Sequence, residues 1–358
     1  MLLLLFSVIT ALLTAATLLP LWRWQHWLIR SFDFPRLQFA LTLVAVLILE
    51  LLLLDWSEVS TQILIGIGFA CLLYQIWWII RYSPLVPKEV RLIHNPEPER
   101  CLRILTANVL TPNRNAQALL DLVHTHQPDI LVTLESDRWW QRQLDVLQGD
   151  YPYSVKCPLD NLFGMHVYSK LKLSSQSIEY LVEEDIPSIH TLVQLRSGHQ
   201  VRCHFLHPEP PSPTQKQTSS ERDAELVIMA KRVAQKDDAT IVAGDLNDVA
   251  WSETTRLFRK ISGLLDPRIG RGMYNTFHAG YWFLRWPLDH LFHSDHFGLT
   301  KLERLGHIGS DHFPLLTELA YIGDAGKDQT GITPDSSDHD IANKKQQQQG
   351  LGEQTGAE

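Results

Sequence analysis

The sequence predicts an α/β protein in which three membrane-spanning helices precede a two-sheet core. Apolar runs long enough to cross a bilayer occupy most of the chain before residue 82. Strand-like and helix-like segments then intermix over residues 101–321 without an internal repeat, which is enough chain for one core of two packed sheets. Polar residues stand at the ends of several predicted strands, and the functional interpretation depends on them.

A membrane domain is predicted over residues 1–81 from three apolar runs, which are Leu2–Leu21, Leu37–Leu54 and Ile63–Ile80. Each run has about 18 to 20 residues, the length that a helix needs to cross the hydrocarbon core. Tryptophans stand at the ends of the runs, as is typical of side chains at a membrane interface. The first run lacks the basic segment of a signal peptide and two more runs follow it, so we expect it to be retained.

The charges that flank the runs predict the side of the membrane. The loop after the first run carries Arg23, Arg30 and Arg36, whereas the loop after the second carries Asp55 and Glu58 and no basic residue. Lys and Arg collect on the cytoplasmic side, and with three spans the first loop and the C-terminal domain share a side. We therefore expect a multi-pass protein of the cell (inner) membrane with a cytoplasmic domain. The excess is a handful of charges, so an extracytoplasmic domain remains the alternative.

Charge, cysteine content and local composition limit the class of protein and divide the rest of the chain into segments. The net charge of the 358 residues is −8, which argues against a protein that binds nucleic acid through bulk charge. The 4 cysteines are scattered and form neither a zinc motif nor a disulfide pattern. Residues 82–100 are rich in proline and charge, which predicts a semi-rigid linker. Residues 322–358 are polar and include a glutamine run, which predicts a disordered tail.

Candidate site residues follow the predicted strands of residues 101–321. One short apolar run, residues 240–243, leads into Gly244, Asp245, Leu246 and Asn247. Side chains two apart in an extended chain point to the same face, so Asp245 and Asn247 project together. The other polar residues at strand ends or in the last loop are Asn108, Glu135, His207, Asp289, Asp311 and His312. Strand ends at one edge of a sheet sandwich converge, so we expect one shared pocket.

The types of these residues indicate metal-assisted hydrolysis. Several oxygen ligands without cysteine suit Mg²⁺ or Mn²⁺ rather than zinc. Two histidines beside carboxylates supply candidates for general acid and base. A tight turn with an Asx cap remains the alternative interpretation of Gly-Asp-Leu-Asn taken alone.

Seven motifs in order resemble the endonuclease/exonuclease/phosphatase superfamily over residues 102–320. They are Thr-Ala-Asn108, Leu-Glu135-Ser, Tyr151-Pro-Tyr, His207-Pro, Gly-Asp245-Leu-Asn247, Leu-Asp289-His and Gly-Ser-Asp311-His312-Phe-Pro. The resemblance implies a four-layer sandwich, in which two packed mixed β-sheets are flanked by helices. It also implies an enzyme, a hydrolase that cleaves phosphate ester bonds with Mg²⁺ or Mn²⁺.

The resemblance also implies a role for each residue. Glu135 would be the main metal ligand, with Asn108 and Asp311 beside it. Asp245 would orient or deprotonate the attacking water. The remaining catalytic residues would be His207 and Asn247 at the phosphate, and His312 at the phosphoryl group, held by Asp289. One position departs from the pattern: many family nucleases carry a second Asn or Asp two residues after the first Asn, where this chain has Leu110, and the next amide is Asn113.

The sequence leaves the substrate open between three alternatives. Acidic side chains outnumber basic ones over residues 101–320 and no basic stripe is visible, which is unlike a nuclease that follows duplex phosphates. With the membrane anchor, this favours a lipid-linked or small phosphate. A membrane-tethered nuclease and a non-catalytic protein that binds a phosphorylated ligand are the other two. The aromatic segment Tyr274–Trp286 could contact either lipid or stacked bases.

Overall fold

A computed structural model describes residues 1–22, 24–213 and 216–347 of the protein. The tail residues 348–358, the end of the glutamine run and Arg23 therefore lie outside the described residues. The helices are α1 Leu2–Leu18, α2 Trp27–Arg30, α3 Arg36–Leu53, α4 Val59–Ile79, α5 Ala116–His126, α6 Arg138–Leu144, α7 Ser220–Ala234, α8 Glu253–Ser262 and α9 Ser336–Gln347. The strands are β1 Cys101–Asn108, β2 Ile130–Leu134, β3 Tyr153–Cys157, β4 Met165–Ser169, β5 Leu173–Glu179, β6 Ser188–Gln194, β7 Gln200–Leu206, β8 Thr240–Asp245, β9 Asp289–His293, β10 Phe297–Arg304 and β11 Leu315–Tyr321.

The strands form two mixed sheets that pack face to face. One sheet has six strands in the order β10-β11-β1-β2-β4-β3, and the other has five in the order β5-β6-β7-β8-β9. The pairs β1–β2 and β7–β8 are parallel, and the other pairs are antiparallel. The prediction of two packed mixed sheets flanked by helices is confirmed.

The two-residue period of the strands builds the layers. Leu102 and Ile104 of β1 face the other sheet, where they join a core with Phe205 of β7. The alternate residue Leu105 faces outward and packs against α5 through Leu119. In the second sheet the outward residues pack against α7 and α8 in the same way. Successive side chains of a strand point to opposite faces, so each strand contributes to two apolar layers.

The topology brings strand ends from both sheets to one place. Asn108 ends β1 and is paired with the last residue of the parallel neighbour β2, directly before Glu135. In the second sheet, the last residue of β8, Asp245, is paired with the first residue of the antiparallel β9, Asp289. His207 directly follows β7, the parallel neighbour of β8. Five polar side chains therefore leave their strands at the same edge of the sandwich.

Among the described residues, three helices are long and apolar enough to cross a membrane, over Leu2–Leu21, Arg36–Leu53 and Val59–Tyr82. The end of this bundle that holds the first loop packs against the two-sheet domain. The indole of Trp251 donates to the Asp33 carbonyl at 2.7 Å, and the Tyr82 hydroxyl donates to the Ala250 carbonyl at 2.6 Å. The first loop and the domain therefore lie at the same end of the three helices.

The predicted linker lies against the domain rather than spanning open space. Ile93 donates its backbone N–H to the Leu299 carbonyl at 2.8 Å, and the Leu299 N–H donates to the Arg91 carbonyl at 2.9 Å. These bonds extend the six-stranded sheet past β10. The Glu89 carboxylate is buried against Arg259 of α8 at 2.7 Å. The linker therefore contacts the domain along its length.

The tail differs from the predicted disorder over residues 336–347. This segment forms α9, which packs on α7 and α8. Lys345 contacts the buried Asp223 at 2.6 Å, and Asp338 accepts a hydrogen bond from Lys260 at 2.7 Å. Because α9 has few apolar residues, ion pairs with other helices contribute much of its contact, and such partners are not visible in a local pattern.

Replacing Glu225 with Gln should stabilise the protein at alkaline pH. Glu225 is buried on α7, and burial, with the nearby Glu183 charge, raises the pKa of its carboxyl to about 8. A raised folded-state pKa means that its contribution to stability is complete below the unfolded pKa of about 4.5 and is lost as the pH rises through about 8. The Glu225→Gln variant should therefore have a Tm several degrees higher than the wild type at pH 8.5, with the difference vanishing at pH 4. An unchanged Tm difference across this range would contradict the assignment.

Candidate active site

Three side chains from both sheets form the centre of the site. The Asn108 amide donates from Nδ2 to Glu135 Oε1 at 2.8 Å and to Asp245 Oδ2 at 3.2 Å. Asn108 and Asp245 are almost completely buried, and Glu135 is partly exposed. One amide therefore links a carboxylate of the first sheet to a carboxylate of the second.

Unusual backbone geometry positions these carboxylates. Gly244 has φ 144°, and a Cβ there would lie 1.9 Å from the Leu206 carbonyl oxygen, so only glycine allows β7 and β8 to approach at this point. Glu135 and Asn247 have φ 56° and 52°, in the left-handed region that is costly for residues with side chains. Such conformations concentrate at functional sites because the surrounding structure must hold them in place.

A histidine and a carboxylate form a buried ion pair beside this centre. His312 Nδ1 lies 2.8 Å from Asp289 Oδ2, and its Nε2 lies 3.4 Å from Asp245 Oδ2. Burial opposes charge on the imidazole, but the two carboxylates outweigh it and raise the pKa of His312 well above its ordinary value. The same pair lowers the pKa of Asp289, because the attraction of His312 exceeds the effect of burial. His312 is therefore an imidazolium at neutral pH.

His207 also belongs to this buried group. Its Nε2 lies 3.8 Å from Asp245 Oδ2, and its ring packs at 5.3 Å from that of Phe163. Burial, with the charge of His312, lowers the pKa of His207 to about 3, so this ring is neutral. One buried carboxylate thus faces a neutral imidazole and a charged one.

Asn247 and Asp311 border this group without joining its side-chain contacts. The Asn247 backbone N–H donates to Asp245 Oδ1 at 2.9 Å, and its Nδ2 donates to the Pro208 carbonyl at 2.9 Å. Asp311 is partly exposed and directly precedes His312, and its charge contributes to raising the pKa of Glu135. All eight residues singled out in the sequence therefore belong to one cluster or directly adjoin it.

Asn113 does not join this group. Its Nδ2 donates to the Val109 carbonyl at 3.0 Å and to the Ile308 carbonyl at 3.2 Å. It braces two loops, and Leu110 before it has φ 59°. The first strand therefore brings a single amide, Asn108, to the site among the described residues.

The residues present fit a divalent cation at Glu135. Its Oε2 is buried without a hydrogen-bond partner among the described residues, and burial raises the pKa of the carboxyl to about 7. A cation beside that oxygen would satisfy it and restore the charged form. Asp245, Asp289 and His312 also offer donor atoms within 4.8 Å of one another. The Asp289–His312 ion pair already occupies two of those groups.

Arg222 supports the site and was not singled out in the sequence. It is buried on α7, and its Nη1 donates to the Asn247 carbonyl at 2.8 Å. It also pairs with Asp223 at 2.9 Å and Asp248 at 3.4 Å. A signal was available, because Arg222 and Asp223 each lie four residues before an apolar residue of α7 and thus share the apolar face.

Replacing Arg222 with Met should destabilise the protein strongly. It would leave the buried carboxylates of Asp223 and Asp248 short of a partner, which typically costs about 3–5 kcal/mol. The matched control is Arg100→Met, because Arg100 pairs with Glu97 in an exposed position, where such pairs contribute about 0–1 kcal/mol. Denaturant unfolding of the two variants measures the difference, and equal losses would contradict the role given to Arg222.

The family follows from comparison with known proteins. A sequence model of the Endonuclease/Exonuclease/phosphatase family matches residues 105–312, which is more than half of the chain and spans all eight candidate residues. The chain therefore belongs to this family, whose members are hydrolases acting on phosphodiester bonds. A comparison with curated proteins gave no significant match.

Solved structures of the same fold cover between 62% and 64% of the chain. The human Nocturnin catalytic domain, solved with a bound sulfate anion, is 17% identical with a TM-score of 0.51, covering 63% of this chain and 96% of that one. A humanised D. rerio TDP2 is 16% identical with a TM-score of 0.50, covering 62% and 99%. A family member from Bacteroides thetaiotaomicron is 16% identical with a TM-score of 0.50, covering 64% and 99%. At these identities the likeness establishes the fold.

Proposed function

We propose that the protein is a membrane-anchored, divalent-metal-dependent phosphoesterase that hydrolyses a lipid-linked or small phosphate ester. The observation that carries the proposal is the buried contact of Asn108 with both Glu135 and Asp245, beside the Asp289–His312 ion pair. A protein that only binds phosphate has no need of a carboxylate placed between two imidazoles.

The proposed metal is Mg²⁺ or Mn²⁺, held by Glu135 with Asn108 and Asp311. When bound, such an ion neutralises charge on the phosphate and lowers the pKa of bound water. Oxygen ligands without cysteine match the preference of these ions. The unpaired Glu135 Oε2 supports this position for the ion.

Asp245 is the proposed group that orients or deprotonates the attacking water. Burial raises the pKa of its carboxyl to about 7, although His312 acts in the opposite direction, and a base works best with a pKa near the operating pH. His312, kept charged by Asp289, would balance the negative charge that builds on the phosphoryl group. His207 and Asn247 would contact phosphate oxygens.

Membrane anchoring is supported by the surface of the three long helices. Many of their large apolar side chains are exposed, among them Leu4, Leu12, Leu52, Ile63 and Trp77. A water-soluble protein rarely exposes so large a contiguous apolar area. Because the first loop is basic and lies at the same end as the catalytic domain, we place the domain in the cytoplasm.

A panel of substrates tests the proposal with the full chain in detergent micelles, since the linker and α9 pack on the domain. With Mg²⁺ present, we expect turnover of a prenyl diphosphate or a phosphomonoester, lost in the Glu135→Ala variant. Cleavage of plasmid DNA that Glu135→Ala abolishes, without turnover of the other two, would identify a nuclease instead. Metal binding without any turnover would favour a non-catalytic protein. An alkaline phosphatase reporter at the C terminus tests the side, because activity there would overturn the cytoplasmic placement.

A further inference from the structure

An exposed aromatic loop lies between the active site and the membrane helices. The side chains of Tyr281, Trp282 and Phe283 are 51%, 82% and 51% exposed, and they follow one another in the chain. We define Tyr281–Phe283 as the aromatic tip. Three consecutive large aromatic side chains in water are unfavourable, and indole and phenol rings partition into the interfacial region of a bilayer. We therefore expect the aromatic tip to contact a surface outside the protein.

The position of the tip relative to the helices identifies that surface. Gln38, near the start of α3, donates from Nε2 to the Phe283 carbonyl at 2.8 Å. Phe34, just before α3, packs its ring at 5.7 Å from that of Trp286, at the end of the same loop. The tip is thus fixed at the level where a membrane span begins, which is the depth of the lipid headgroups. Exposed Trp22 and Trp24 follow α1 at this same end of the bundle.

The root of the same loop contacts the catalytic residues. The Phe277 ring lies 4.9 Å from the His312 ring, and its backbone pairs with that of Trp286. The Ala279 N–H donates to the Asp311 carbonyl at 2.6 Å. One short segment therefore connects the reacting groups to the membrane surface.

Two arginines flank the root of the loop. The guanidinium carbons of Arg285 and Arg304 lie 4.9 Å and 4.6 Å from the ring of Phe313, the residue after His312. Arg285 donates to the Ala279 carbonyl at 3.3 Å and to the Tyr281 carbonyl at 2.9 Å. Neither arginine forms an ion pair within the described part of the chain, so both keep positive charge available for an anion.

We propose that the aromatic tip inserts among the lipid headgroups and that Arg285 and Arg304 receive the phosphate of a lipid, so that the substrate enters from the bilayer surface. This inference rests on the proposed function and narrows the substrate to a phosphate ester carried by a membrane lipid. Apolar rings next to cationic groups, beside a catalytic site and level with a membrane span, match the chemistry of such a molecule, which has an apolar tail and an anionic head.

The test compares one headgroup presented in two ways by the full chain in proteoliposomes. The substrates are a long-chain prenyl diphosphate in the vesicles and a short-chain, water-soluble prenyl diphosphate. The variant replaces Tyr281, Trp282 and Phe283 with Ser, and the control is Tyr180→Ser, an aromatic side chain that is 49% exposed outside the loop. The ratio of the vesicle rate to the soluble rate should fall about 10–100-fold in the variant, which corresponds to losing the burial of one or two such rings. The control should leave the ratio unchanged.

A second measurement reports insertion directly. Lipids brominated close to the headgroup quench tryptophan fluorescence on contact, so quenching should decrease in Trp282→Phe relative to the wild type. In Arg285→Gln and Arg304→Gln, KM for the vesicle substrate should rise about tenfold each, as expected for the loss of a charged hydrogen bond.

Distinct outcomes separate the two proposals. Equal loss of both rates in the triple variant, or an unchanged ratio with unchanged quenching, would overturn the membrane role of the tip and leave the phosphoesterase proposal standing. A wild type that hydrolyses neither prenyl diphosphate nor a phosphomonoester would overturn both.

Discussion

Replacing Asp245 with Asn is expected to lower kcat about 10²–10⁴-fold, the usual loss when a general base is removed. Asp245 is the residue on which the site converges, since it contacts Asn108, His207 and His312. An amide has nearly the same shape as the carboxylate but cannot take a proton from water. The fold should therefore survive while hydrolysis of the best substrate in the panel is lost.

Two measurements separate this loss from unfolding. Thermal unfolding of Asp245→Asn should give a Tm at least equal to that of the wild type, because the variant removes a buried carboxylate whose pKa burial has raised. Steady-state kinetics at saturating substrate give kcat. A kcat within about threefold of the wild type would rule out Asp245 as the group that acts on water.

Replacing Asp289 with Asn is expected to lower kcat by a similar factor, because Asp289 positions His312. Asp289 holds His312 by a contact of 2.8 Å, and in a comparable carboxylate–histidine pair of serine proteases the same substitution costs about 10⁴-fold. The imidazole would lose both its orientation and the charge that keeps it protonated. We expect kcat to fall about 10²–10⁴-fold with the affinity for Mn²⁺ unchanged.

A double variant tests whether the pair acts as a unit. If Asp289 works through His312, the Asp289→Asn/His312→Gln double variant should be about as slow as His312→Gln alone, because the effects of coupled residues do not add. Fully additive losses, or weaker Mn²⁺ binding in Asp289→Asn, would indicate that Asp289 acts on its own, as a metal ligand for example.

Local patterns were sufficient to locate much of the fold and of the candidate site. Residues 240–243 read as a buried strand, and Asp245 lies at its end in the structure. Glu135 directly follows β2, and Asp289 begins β9. These positions could be predicted because alternating apolar residues or a β-branched run indicate a strand. The first polar residue after such a strand lies at the edge of the sheet.

Other features depend on partners that are distant in sequence. Helix α9 has few apolar residues, and its contacts with Asp223 and Lys260 exist only after α7 and α8 have packed. The role of Arg222 likewise depends on its contacts with Asp248 and with the Asn247 carbonyl. Such charge pairs offset the cost of burying each charge only once the chain has folded. A local sequence pattern therefore predicts that these charged residues are exposed to solvent.

The partner of the aromatic segment Tyr274–Trp286 also could not be predicted from the sequence alone. Its composition suited lipid or nucleic acid equally, because any flat ring can stack on a base or lie at a membrane interface. The hydrogen bond from Gln38 to the Phe283 carbonyl, between residues far apart in the chain, places the segment beside α3, one of the three long apolar helices. Only the tertiary contact distinguishes the two alternatives.

Mn²⁺ binding by the full chain, followed by electron paramagnetic resonance with the wild type and the Glu135→Gln variant, tests the central claim most directly. The claim is that Glu135, Asn108 and Asp311 hold a divalent cation beside Asp245 and His312. The account predicts saturable binding that Mg²⁺ displaces, weakened at least about tenfold in Glu135→Gln and unchanged in the control Glu225→Gln. Equal binding by the wild type and Glu135→Gln, or no binding by the wild type, would contradict it.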